Sequence, residues 1–205
     1  MSSSLPSSSS PDLHLVVASP EENIAQTNAN STEWRGALSL DAYLRREEHL
    51  LQQLLTKGGG LTPWMLVHQP DYPNGPRTVL CGCESIKKKA LVVQDGKLED
   101  VVAHGICSVF CPETRRGKGY AGRMMSELDK KLEGWQGEGK VGRENKGVLF
   151  SVLYSDIGKV GSSSHLILYS FLVSYPLPSG ILHRTRLASL PFCPRLSATL
   201  GRFPT

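Results

Sequence analysis

The stretch from Ile106 to Gly122, ICSVFCPETRRGKGYAG, decides which fold this chain is expected to adopt. Its first five residues are rich in β-branched and aromatic side chains, which predicts the end of a strand. The loop that follows contains Pro112, Gly117 and Gly119 and leads into a helix. Apolar residues recur in that helix at spacings of three and four, which predicts one buried stripe. The expected members of this stripe are Ala121, Met125, Leu128, Leu132 and Trp135.

The glycine-rich loop is typical of an anion-binding site. The first N–H groups of a helix lack intrahelical acceptors, and the positive end of the helix dipole lies behind them. Gly117 and Gly119 let the backbone approach a phosphate closely, while Arg116 and Lys118 add positive charge. Lys118 is followed by glycine rather than Ser or Thr, so the loop is not that of a P-loop nucleotide hydrolase. The alternative is a basic loop that only caps a structural helix.

The sequence before this loop predicts two helices and an antiparallel meander. Strands are expected over residues 13–18, 64–68, 78–85, 90–93 and 100–110, and a later one over 147–154. Ser19 and Ser39 are candidate N-caps for the two helices, the second running to Leu55. We expect Lys87–Lys89 to interrupt the middle of the meander and Asp95-Gly96 to form a tight turn.

The segment Arg116–Ala121, RGKGYA, resembles the acetyl-CoA pyrophosphate loop of the GNAT superfamily of N-acetyltransferases. The expected order of strand, two helices, three antiparallel strands, helix and strand is that of the same superfamily. The resemblance implies an α+β (α/β/α) fold with a mixed, mostly antiparallel sheet flanked by helices. Four other segments resemble fungal lysine N-acetyltransferases, and the similarity covers about residues 13–159. These segments are Glu33–Gly36, Leu40–Glu47, Cys81–Lys89 and Ser151–Lys159.

The resemblance implies that acetyl-CoA is a co-substrate held mainly by backbone groups. The pantetheine arm would pair with Val109, Phe110 and Cys111. The pyrophosphate would be wrapped by Arg116, Gly117, Lys118, Gly119, Tyr120 and Ala121. In this fold the fourth and fifth strands separate and the pantetheine fills the gap, which here places the cleft between residues 104–110 and 147–154.

Acetyl transfer needs a neutral amine and a group that removes its proton. Glu84 and Asp156 are candidate proton acceptors, and Tyr154 is a candidate donor. The alternative for each is a structural role at a strand end. The resemblance implies that the acceptor is the side-chain amine of free lysine, as in lysine catabolism. The alternative function is that of a truncated, catalytically inactive acetyl-CoA-binding fragment.

The two ends of the chain differ in composition from the middle. Residues 1–12 are rich in Ser and Pro and are expected to be disordered. They have no basic residue before the first apolar segment, so they do not form a secretory signal, and we expect a cytoplasmic protein. The resemblance ends after Lys159, and residues 160–205 lack Asp, Glu and Lys. We expect an incomplete acetyltransferase domain over 13–159 whose sheet ends at its fifth strand. The low-structure tail that follows is expected to come from a translated intron or a frameshift.

Charge and cysteine spacing disfavour three other classes of protein. The net charge of +4 arises from four arginines in residues 161–205, while residues 1–160 are neutral, so a nucleic-acid-binding face is not expected. The longest apolar run, about residues 166–173, is too short to cross a bilayer, which needs about 20 residues. Cys81 and Cys83 lack the four-ligand spacing of structural zinc, so no metal site is expected. The expected partner is a small-molecule amine.

Overall fold

The computed structural model describes residues 5–94, 97–136, 148–155 and 168–172. The helices are α1 (Pro20–Trp34), α2 (Leu40–Leu51) and α3 (Tyr120–Leu132). The strands are β1 (Leu13–Val17), β2 (Leu61–His68), β3 (Thr78–Gln94), β4 (Lys97–Phe110), β5 (Val148–Ser155) and β6 (Leu168–Leu172). A short 3-10 helix, Glu113–Arg115, lies between β4 and α3.

The strands form one sheet in the order β1-β2-β3-β4-β5-β6. Neighbouring strands are antiparallel except β4 and β5, which are parallel and pair from Val102↔Val148 to Ile106↔Leu153. Parallel neighbours need a crossover connection, and α3 lies within it. The mixed α+β fold expected from the sequence is thereby confirmed.

Helix α3 packs its apolar stripe against one face of the sheet. Its buried members lie four residues apart and join the main core cluster: Tyr120, Met124, Leu128 and Leu132. Cys81 and Cys83 face the same core, and the Sγ of Cys81 lies 3.6 Å from the Sδ of Met124. Trp135 extends the contact, with its ring 4.8 Å from that of Trp64 in an edge-to-face arrangement.

Helix α1 packs against the sheet through different residues. The Gln26 side chain lies directly over Gly82, beside Met65. Ser19 and Glu22 form a capping box at the helix start, each side chain bonded to the other's backbone N–H. The Glu22 carboxylate also pairs with the Arg77 guanidinium through both of its oxygens, which ties α1 to the start of β3.

Three details of the elements differ from the sequence-based expectations. The fully buried stripe of α3 includes Tyr120 and Met124, because the helix begins with the Tyr120 ring already in the core, while the expected Ala121 and Met125 are half-buried and Met125 packs against the edge of the core. Strand β3 continues through the lysine triplet, which pairs with His104, Ala103 and Val102 of β4. Helix α2 ends at Leu51 rather than near Leu55, since the next two leucines are exposed and gain no core contacts.

Both ends of the described chain contact the rest of the fold. Residues 8–9 and 11–12 lie in turns, and Tyr120 and Arg123 of α3 donate hydrogen bonds to the carbonyls of Pro6 and Ser8, while disorder of residues 1–12 stays a prediction. The sheet also extends one strand beyond the expected fifth, since β6 pairs antiparallel with β5 from Ser151↔Leu172 to Ser155↔Leu168. The edge of β5 that the sequence leaves without a partner is therefore covered.

The core of α3 generates a stability prediction. Leu128 is fully buried, so Leu128→Ala should lower the free energy of unfolding by about 2–5 kcal/mol, through lost burial and the cavity left behind. Leu54 is 86% exposed and provides the matched control, because Leu54→Ala removes the same atoms from water-exposed surface. Urea denaturation of both variants checks this, and equal losses would contradict the placement of α3.

Candidate active site

The loop between β4 and α3 has the backbone shape of an anion-binding turn. Gly117 and Gly119 have φ angles of +72° and +81°, values that side-chain-bearing residues rarely adopt. Gly119 is the N-cap of α3, and Arg123 N–H donates to its carbonyl at 3.0 Å. Among the described residues, none of the six N–H groups of residues 117–122 has a hydrogen-bond acceptor. The loop therefore offers a cluster of free donors at the positive end of a helix.

Arg116 braces this loop. Its Nε donates to the carbonyl of Cys111 at 2.9 Å, which closes the turn that contains the 3-10 helix. Its Nη2 lies 2.8 Å from Oε1 of Glu33 near the end of α1, in an exposed ion pair. The guanidinium thus joins two elements that border the loop, while Lys118 is exposed.

The strands separate at the point where the loop begins. The last β4–β5 pair is Ile106↔Leu153, yet β4 continues to Phe110 and β5 to Ser155. The pairing of β4 with β3 also shifts register here, from Glu84↔Cys107 to Gly82↔Phe110. Ser108 lies in this irregularity with φ of +53°, which marks a bulge in β4. The pairing of β4 with β5 thus ends beside the bulge, at the position where the resemblance places the cofactor cleft.

The residues expected to contact pantetheine line the separated end of β4. Phe110 is buried, and its ring meets that of Trp34 edge-to-face at 5.9 Å. Val109 and Cys111 are half-buried and pack against the main core. The Tyr120 side chain is buried, so only its backbone faces the loop, and Ala121 is half-buried.

Glu84 is a half-buried carboxylate at the bulge. Ser108 Oγ donates to its Oε2 at 2.6 Å, and Cys107 Sγ lies 3.8 Å from the same oxygen. Burial raises the pKa of Glu84 above its ordinary 4.5, the nearby Glu47 carboxylate raises it further, and the bonds from Ser108 and Cys107 only partly offset this. A carboxylate with a raised pKa is a stronger base when it is ionised, and this property suits a proton acceptor.

The side chains of the other two candidate catalytic residues fall outside the described part of the chain. Tyr154 belongs to β5, where its backbone pairs with Tyr169, and its side chain is outside the described residues. Asp156 lies wholly outside the described residues. Ser108 is a site residue that sequence reasoning missed, and no pattern could have signalled it, because a positive φ at serine leaves no mark in composition or spacing.

Two kinds of feature, a metal-ligand cluster and a membrane-spanning helix, are absent from the described residues. No group of three or more His, Cys, Asp or Glu side chains is arranged there to hold a metal ion. None of the helices described is long and apolar enough to span a bilayer.

Known proteins were compared with the chain in sequence and in structure. A lysine acetyltransferase from Yarrowia lipolytica is 34% identical over 113 residues, which are 55% of this chain and 27% of the relative. An uncharacterized protein from Saccharomyces cerevisiae is 25% identical over 155 residues, covering 66% of this chain and 38% of the relative. The chain thus spans about a third of the length of these curated relatives, and the first of them confirms the resemblance to an acetyltransferase.

Similar solved structures are acetyltransferases too. Arabidopsis thaliana NAA60 in complex with acetyl-CoA has a TM-score of 0.47 at 11% identity, covering 72% of this chain and 78% of that one. A GNAT family acetyltransferase from Brucella melitensis, in complex with acetyl-CoA, has a TM-score of 0.44 at 16% identity, covering 82% and 93%. No family model matches the chain.

The environment of Glu84 generates a prediction about pH. The pKa is raised in the folded state, so the unfolded chain releases this proton first as the pH rises above about 4.5. The wild type should therefore lose stability relative to Glu84→Gln as the pH rises through the interval between the two pKa values, and the difference should then level off. Below that interval the two proteins should differ by a constant amount.

Urea denaturation over a pH series measures this difference. Glu48→Gln, on the exposed surface of α2, removes one carboxylate outside the Glu84 cluster and is the matched control. If the difference in free energy of unfolding between Glu48→Gln and the wild type shows the same dependence on pH, burial of Glu84 is not the cause of that dependence.

Proposed function

We propose that this chain binds acetyl-CoA in the cleft between β4 and β5 and transfers the acetyl group to an amine, that of the lysine side chain. The observation that carries the proposal is the row of free N–H groups over residues 117–122, placed where β4 leaves β5. A pyrophosphate carries negative oxygens that fit such donors. The name of the Yarrowia lipolytica relative supports the choice of acetyl transfer and of lysine.

The residues present offer donors and backbone for two parts of acetyl-CoA, the pyrophosphate and the pantetheine arm. The N–H groups of residues 117–122 would bind the pyrophosphate, with Lys118 adding charge at the exposed edge. The backbone of Val109 to Cys111, beyond the last β4–β5 pair, would border the pantetheine arm. Acetyl-CoA supplies the acetyl group as a thioester, and the chain must orient it and receive the proton that the amine loses.

Glu84 is the residue that we assign to the proton. Its carboxylate lies at the bulge where the strands separate, held by the Ser108 hydroxyl at 2.6 Å. Burial and the adjacent Glu47 raise the pKa of Glu84 towards the range in which a carboxylate is an effective base. Glu47 is itself paired with Arg46 at 2.6 Å, so Glu84 is the acidic group that we assign to a cationic acceptor such as lysine.

The second candidate function is acetyl-CoA binding without turnover. The observation that favours it is the short share, 27%, of the lysine acetyltransferase that this chain spans. Binding needs only β4, β5, the loop and α3, which the structure describes, whereas an acceptor pocket and a general acid need further residues. A binding experiment and a turnover experiment separate the two functions.

Acetyl-CoA binding is the first test. Acetyl-CoA at 100 times its dissociation constant should add about 2.7 kcal/mol to the free energy of unfolding, seen as a rise in melting temperature. Gly117→Val should weaken binding by at least about tenfold, because a β-branched residue strains the positive φ and reshapes the N–H cluster.

Gly134→Val is the matched control, since nothing lies within 4 Å of a Cβ at Gly134 and its φ is not in the left-handed region. Calorimetric titration of both folded variants measures the affinities. A wild-type chain that melts cooperatively but is not stabilised by acetyl-CoA would refute both candidate functions.

Turnover is the second test. The wild type should acetylate lysine, and Glu84→Gln should lower kcat by about 10²–10⁴-fold while leaving acetyl-CoA affinity nearly unchanged, because only the proton acceptor is lost. Release of free CoA thiol from acetyl-CoA is the measurement, with ornithine and a peptide N-terminal amine as competing acceptors. Binding without thiol release for any of these amines would favour the non-catalytic function.

A further inference from the structure

The N-terminal strap, residues 5–10, lies against the loop and α3. Its exposure alternates along the chain: Pro6, Ser8 and Ser10 are half-buried, while Leu5, Ser7 and Ser9 are exposed. Residues 7–10 form a turn, closed by the hydrogen bond from the Ser10 N–H to the carbonyl of Ser7 at 3.0 Å, and one side of the segment lies on the protein surface. Residues that the sequence assigns to a disordered tail thus have an inner face, and this face meets the start of α3.

Two donors of α3 hold the strap by its backbone. The Tyr120 hydroxyl donates to the carbonyl of Pro6 at 2.5 Å, and Arg123 Nη1 donates to the carbonyl of Ser8 at 3.2 Å. Arg123 is itself paired with Glu127, one turn further along α3, at 2.5 Å. The carbonyls of the strap are therefore bonded to side chains, and they leave the N–H groups of residues 117–122 free.

Ser8 brings its hydroxyl to Gly119, the N-cap of α3. A Cβ placed on Gly119 would lie only 2.9 Å from Ser8 Oγ, whereas nothing lies within 4 Å of the same point on Gly117. The exposed serines on either side bond to each other, Ser7 Oγ to Ser9 Oγ at 2.9 Å. Ser8 Oγ makes no hydrogen bond within the part of the chain that the structure describes, so it is a free donor beside free N–H groups.

We propose that the strap is one wall of the phosphate pocket and that the Ser8 hydroxyl donates to a phosphate oxygen of acetyl-CoA. The inference rests on the proposed function, and it adds a binding residue about 110 positions away from the loop in sequence. A strap that plugged the pocket would place its carbonyls on the N–H groups. Here those carbonyls are bonded to Tyr120 and Arg123 instead, which is the arrangement of a side wall.

The test compares a charge on the inner and outer sides of the strap. Ser8→Asp places a carboxylate beside the phosphates and should weaken acetyl-CoA binding by about tenfold or more, because the negative charges of neighbouring carboxylate and phosphate groups repel each other. Ser7→Asp adds the same charge on the exposed side and should bind within about twofold of the wild type, because water and salt screen it. Ser8→Ala should weaken binding by about threefold to tenfold, through loss of one bond to a charged group.

S-acetylpantetheine, which has no phosphates, separates a phosphate contact from a general disturbance. Its affinity, measured by calorimetric titration, should be the same for the wild type and Ser8→Asp. Equal losses of acetyl-CoA affinity in Ser7→Asp and Ser8→Asp would contradict the proposal and indicate a segment unrelated to the pocket. Tighter binding by Ser8→Ala would contradict it too and indicate that the strap blocks the pocket. If the wild type binds acetyl-CoA and all three variants bind it with the wild-type affinity, this inference alone is overturned. If the wild type does not bind acetyl-CoA, the proposed function is overturned as well.

Discussion

The parallel pairing of β4 with β5 is the constraint on which the rest of the site depends. Every other pair of neighbours in the sheet is antiparallel and can be joined without crossing the sheet. A parallel pair needs a crossover, so a helix has to leave the carboxyl end of β4 and lead back to the start of β5. Helix α3 occupies this connection, and its N-terminus must therefore lie at the end of β4. The anion-binding turn and the strand cleft meet for this topological reason.

The bulge at Ser108 adds a second consequence to that topology. The pairing of β4 with β5 ends at Ile106, two residues before the bulge. The residue at the bulge also holds the Glu84 carboxylate, because the hydroxyl of this positive-φ serine donates to it. The end of the β4–β5 pairing and the placement of Glu84 thus meet at one local irregularity. The core packing of α3 keeps the surrounding strands fixed, and this offsets the strain of the positive φ at the bulge.

Much of this could be predicted from the sequence, because the decisive signals are local. Glycines at 117 and 119, the serine caps of α1 and α2 and the apolar period of α3 each specify a backbone conformation within a few residues. The contacts that the sequence did not predict are distant ones. The Ser8 segment is bonded to Tyr120 and Arg123, and β6 pairs with an edge of β5, and neither contact leaves a periodic pattern in its own segment. The lysine triplet misleads for the same reason, since pairing with β4 overrides its low strand propensity.

The charges around the cleft are divided between its two ends. The phosphate end has free N–H groups, the helix dipole and Lys118, while the bulge end has Glu84 near Glu47. A ligand that is anionic at one end and meets a cationic amine at the other would be oriented by this division before any contact is made. Positive charge in contact with Glu84 would lower its pKa and weaken it as a proton acceptor. In the proposed function the donors of the loop bind the phosphates, while Glu84, which is bonded to the Ser108 hydroxyl, accepts the proton.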